Sequence, residues 1–84
     1  MSTLIFNADS LFQLKQLEFE YHRRAGRRFR LADETQRLEL LRCSASCRDQ
    51  VVRRQFRRFC RKLEPGIRNA LIREGVFSES QVLH

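Results

Sequence analysis

At 84 residues the chain supports one domain, whose elements must all share one small core, because a chain this short buries only about 60% of its unfolded surface. Hydrophobic residues make up 42% of it, near the globular average, so a folded domain is expected despite the heavy charge. Seventeen basic against 10 acidic side chains leave a net charge of +7, which favours nucleic acid, anionic lipid or acidic protein as partner over any basic surface.

The first six residues, Met-Ser-Thr-Leu-Ile-Phe, carry no basic region and too short an apolar run for a secretory signal. No apolar run approaches the roughly 18–20 residues of a membrane span. Three cysteines, Cys43, Cys47 and Cys60, are an odd number with no disulfide-like framework, which fits reduced thiols. A cytoplasmic protein is expected, with no membrane partner.

Leu4-Ile5-Phe6 reads as a short extended arm. It could pair with Phe29-Arg30-Leu31, but strands this short are marginal alone. A first helix follows over roughly residues 9–25, capped by Asp9 or Ser10 and turning Leu11, Leu14, Leu17, Tyr21 and Ala25 inward. Arg23 and Arg24 complement its carbonyl end and Gly26 stops it.

Asp33-Glu34-Thr35-Gln36 has the spacing of a capping box, and Leu38, Leu41 and Ala45 continue a helical stripe, giving a second helix over roughly 34–44. Residues 47–63 form a third. The two could be one long kinked helix, since no Gly or Pro lies between residues 27 and 64 and their apolar stripes keep phase. Thirty continuous residues would however make a rod of about 45 Å, against a radius of gyration near 12 Å for a globule of this length. Ser46 followed by Asp49 is a weaker cap signature that favours a break. Pro65 ends the third helix and can open a fourth over roughly 66–74, with Ile67, Ala70, Leu71 and Ile72 inward. Gly75 stops that helix, Val76-Phe77 can fold back, and Ser78 can cap a last turn. The fold expected is an all-α bundle of about four helices behind an extended arm.

The third helix is the most informative segment. Val52, Phe56, Phe59 and Leu63 lie within roughly 40° of one line, while Arg53, Arg54, Arg57, Arg58, Arg61 and Lys62 take the opposite half of the cylinder. The phenylalanines are therefore core, and the contact surface is cationic. Residues 22–30 hold five arginines and no acid, so Arg23, Arg24, Arg27 and Arg28 extend the candidate surface. Arginine outnumbers lysine 15 to 2, and its planar fork suits bidentate phosphate or carboxylate contacts. A GC-rich coding bias would account for that preference too, but not for the clustering.

Leu40, Cys47 and Val51 make a second apolar line if the helix is continuous. It could take helix 1, the C-terminal segment or a second copy as a homodimer seam. Zinc is disfavoured, because Cys43 and Cys47 lack a second close ligand pair. Arginines beside Cys47 or Cys60 would activate either thiol only if it were exposed.

There is no phosphate loop, nucleophile elbow or metal-spaced histidine pair, and Glu18 and Glu20 point to different sides of their helix. No enzyme activity and no cofactor are expected. A helix-turn-helix, with 34–43 crossing a DNA backbone and 47–61 in a major groove, would have Gln55 as its only amide for adenine. The function expected is a binding or regulatory protein that holds a polyanion, nucleic-acid backbone in DNA or structured RNA, without strong sequence readout. The alternative is an adaptor or inhibitor docking the same face on an acidic protein.

Overall fold

In the computed structural model, which describes residues 6–83, helices form over Ala8–Ala25 (α1), Glu34–Ala45 (α2), Gln50–Lys62 (α3), Pro65–Arg73 (α4) and Glu79–Leu83 (α5). No strand forms among these residues. Leu4 and Ile5 of the expected arm lie outside them. Phe6 is buried, with its ring 6.3 Å from that of Phe59.

Local chemistry accounts for the ends. α1 starts at Ala8, one residue earlier than expected, because Asn7 is its cap: the Asn7 side chain accepts the Ser10 amide at 2.8 Å, and Asp9 sits inside the first turn. Gly26 ends it with φ 79°, its amide donating to His22 O, the left-handed arrangement a Cβ disfavours. Asp33 caps α2 by accepting the Thr35 amide. α4 begins at Pro65, whose missing amide costs nothing at a first helical position. At its end the Gly75 amide bonds Ile72 O and the Val76 amide bonds Leu71 O, the paired closure that turns a chain back on its helix. That closure delivers Val76 and Phe77 to the core.

The segment 34–63 is broken, not continuous. α2 ends at Ala45, and α3 starts at Gln50 instead of residue 47, because the Asp49 carboxylate takes the Val51 and Val52 amides at 2.9 and 3.1 Å. A rod of about 45 Å would also exceed the longest dimension of the fold, 31 Å. Once the helix is broken, the line through Leu40, Cys47 and Val51 no longer exists as one face. Leu40 is fully buried within the chain, while Cys47 and Val51 are half-buried. The expected homodimer seam thus has no leucine to present.

α3 is the hub, packed by α1, α2 and α5. α1 runs antiparallel to it: Asn7 and Ser10 share a cleft with Phe59 and Lys62 at one end, and Arg24 reaches Asp49 at the other. Phe56, 1% exposed, meets Phe77 edge-on at 5.2 Å. Leu14, Leu17, Leu40, Leu41, Val52, Cys60 and Leu71 complete a dry centre. Ala25, expected inside, is exposed at the end of α1, and Leu11 and Tyr21 are half-buried.

Two polar groups in this core have opposite meanings. Glu18 is buried with a purpose, accepting the Phe29 amide at 3.1 Å and lying 3.6 Å from Arg28, so it holds the 26–33 loop to α1. The Ser44 hydroxyl is fully buried and has no hydrogen-bond partner. Desolvating a hydroxyl without return costs about 1–3 kcal/mol, and alanine is the better helix former. Ser44→Ala should therefore raise the urea midpoint, by about 1 kcal/mol of stability; a lowered midpoint would show that the hydroxyl has a use in the core.

Candidate anion-binding site

The basic face of α3 follows from the burial of its other side. With Val52, Phe56, Phe59, Cys60 and Leu63 inward, Arg54, Arg58, Arg61 and Lys62 are exposed and Arg53 and Arg57 half-buried. From Arg57 to Lys62 the outward cations cover an arc of about 140°, and from Arg54 to Lys62 they span about 12 Å of axis. Arg54, Arg57, Arg58, Arg61 and Lys62 make no side-chain hydrogen bond or ion pair with the rest of the described chain. Their donors are available. Arg61 and Lys62 also occupy the last turn, where positive charge complements the helix carbonyls.

The other five candidates divide differently. Arg53 donates to Cys47 O at 2.9 Å, bracing the α2–α3 link. Arg24 donates through Nε to both Asp49 oxygens at 2.9 and 3.0 Å, instead of bonding within its own helix. Arg27 stacks over the Phe29 ring at 4.5 Å and reaches Cys43 Sγ, and Arg28 faces Glu18. These contacts belong to the loop and its packing on α1 and α2. Of the α1–loop set, Arg23 is exposed and has no side-chain partner among the described residues. The extension of the cationic face by Arg24, Arg27 and Arg28 is thus drawn into structural work, which sequence clustering could not reveal.

Acidic groups limit the face at its edges. Lys62 shares its cleft with Asp9 and Glu64. A shallow groove between α1 and α3 is lined by Lys15, Gln16, Phe19, Glu20, Gln55 and Arg58. Gln55 therefore sits on the flank facing α1, half-buried, and not at the centre of the exposed arc where a base-reading amide would stand.

Two exposed aromatics that the sequence reading leaves out lie on α1, and one of them, Phe19, lines this groove. Phe12 and Phe19 are each 59% exposed, on the outer side of α1. Both fall on the wheel opposite Leu14 and Leu17, so their exposure was readable from the helical phase.

Asp49 links site and scaffold. The Val52 amide, and then the Arg24 guanidinium and the Val51 amide, hold its carboxyl below the usual carboxylate range. A lowered folded-state pKa means stability present above the unfolded value and lost as pH falls through the folded one. Asp49→Asn keeps an acceptor for the cap but loses the charge. It should flatten the acid limb of a thermal-melt series below about pH 4, and an unchanged limb would place the acid sensitivity elsewhere.

Two of the three thiols, Cys60 and Cys43, are set against reactivity by their surroundings. Burial pushes the Cys60 thiol up to about 12, and the fully buried sulfur has no access to oxidant, which removes it as a redox candidate. Burial, and then Glu39 accepting its S–H, also raise Cys43. Among the described residues no group of three His, Cys, Asp or Glu side chains is placed to hold a metal, and no helix is long and apolar enough to cross a membrane.

The architecture and the exposed face together define a small, basic, all-α domain. The chain matches no protein-family model, no curated protein and no solved structure, so its own geometry carries the functional argument.

Proposed function

We propose that this protein binds the phosphate backbone of nucleic acid through the outer face of α3. The observation that supports this most is the set of five outward cations, Arg54, Arg57, Arg58, Arg61 and Lys62, with no ion pair among the described residues. A domain that needed charge only for solubility would do as well with mixed signs. Here one helix face is of a single sign, on a rigid element backed by the core. Arginine forks on consecutive turns suit phosphate oxygens, while Gln55 on the flank leaves little means of reading bases. Binding of this kind is regulatory or architectural and is insensitive to sequence.

Four or five phosphate contacts correspond to a log–log salt slope of about −4 for duplex DNA. Mobility-shift titration should show affinity falling roughly 250-fold between 50 and 200 mM salt, equally for unrelated sequences. Absence of a shift at low salt would instead favour an acidic protein as the partner of the same face.

A further inference from the structure

Phe12 and Phe19 lie outside the core: each leaves 59% of its surface in solvent, while Leu14 and Leu17 on the opposite side of α1 are fully buried. Seven residues apart, they lie within about 20° of one line and about 10.5 Å apart along the axis. Lys15 and Gln16, both exposed, stand between them, and Arg23 follows Phe19 by one turn. The two rings thus form no continuous apolar patch of the kind that seats a protein partner's hydrophobic ridge. They are separate flat π surfaces with cations between and beyond.

Phe19 also lines the α1–α3 groove with Lys15 and Arg58, so the ring-bearing face of α1 and the arginine face of α3 are neighbours across one shallow channel. Lys15 and Arg58 line this groove against a single acid, Glu20, so the balance of charge favours an anionic occupant, and one with flat apolar faces at intervals matches both components. The axial offset of the two positions is roughly three base steps at 3.4 Å each.

From this juxtaposition we infer that the chain binds single-stranded nucleic acid, with unpaired bases stacking on Phe12 and Phe19 while Lys15, Arg58 and the other α3 arginines hold the phosphates. This deepens, and rests on, the backbone-binding reading of α3. A paired duplex keeps its base faces covered and can use only the arginines.

The test compares a labelled oligothymidylate of about 16 nucleotides with a duplex of similar length, by fluorescence anisotropy at one low salt concentration. The full chain should bind the single strand more tightly. Phe12→Leu with Phe19→Leu keeps apolar bulk at exposed positions but removes the rings. Strand affinity should fall about tenfold or more per ring, with duplex affinity and the salt slope unchanged. Phe19→Trp should retain strand binding and show quenched indole fluorescence on titration. A leucine variant that binds the strand like the parent, or loses strand and duplex equally, overturns the stacking inference while leaving the α3 reading intact. Failure of the parent chain to bind either polymer overturns the α3 reading itself.

Discussion

Phe56→Ala should leave the chain largely unfolded at physiological temperature. Phe56 is 1% exposed, stands at the centre of the hub helix and meets the Phe77 ring at 5.2 Å. Truncating a buried phenylalanine costs about 3–5 kcal/mol in lost transfer energy and cavity, and the edge-on pair adds about 0.5–1.5 kcal/mol. A domain of this length has only about 4–13 kcal/mol of stability in total. α1, α2 and α5 all pack on α3, so no sub-core survives its loss. Thermal melts followed by circular dichroism should fall by about 4–8 °C per kcal/mol lost, a drop of tens of degrees. Phe12→Ala, at an exposed position, should stay within about 0.5 kcal/mol of the parent. Equal melting of the two variants would contradict the division of phenylalanines between core and surface.

The second large effect concerns binding. Replacing Arg54, Arg57, Arg58 and Arg61 together by glutamine removes the centre of the free cationic arc. Among the described residues none of the four has a side-chain partner to lose, and glutamine nearly equals arginine in helix propensity, so helicity and melting temperature should hold. Each lost phosphate contact reduces the salt slope by about 1. Duplex binding at 50 mM salt should therefore fall below detection, with any residue of it carried by Lys62 and Arg53. Arg27→Gln and Arg28→Gln should weaken binding far less, because Arg27 stacks on Phe29 and reaches Cys43 while Arg28 faces Glu18, and neither lies on the α3 arc. A loop variant with the larger loss would relocate the interface.

Much of this was legible in the sequence because one-residue rules acted without competition. Gly26 and Gly75 stopped their helices, Pro65 opened one, and the α3 stripe of Val52, Phe56, Phe59 and Leu63 is the buried edge observed. The starts of α1 and α3 differ from the sequence expectation because several capping residues compete there. Asn7 won over Asp9 and Ser10, and Asp49 over Ser46, each because its side-chain oxygen reaches the free amides of the next turn. The long-range partners of the arginines were not legible. Arg24 with Asp49 and Arg28 with Glu18 are pairs that tertiary packing creates, and charge clustering along the chain is blind to them. The cationic candidates thus separate only in the fold: Arg54, Arg57, Arg58, Arg61 and Lys62 of α3 stand apart from Arg53, Arg24, Arg27 and Arg28, which contact other parts of the chain.

Chemical-shift mapping of isotopically labelled protein titrated with a short oligonucleotide tests the central claim most directly. The account predicts saturable shifts confined to the side chains and amides of residues 54–62, joined by 12–23 of α1 when the strand is single, and reversed by added salt. Shifts centred on the 26–33 loop or on α4 and α5, with α3 silent, would contradict it.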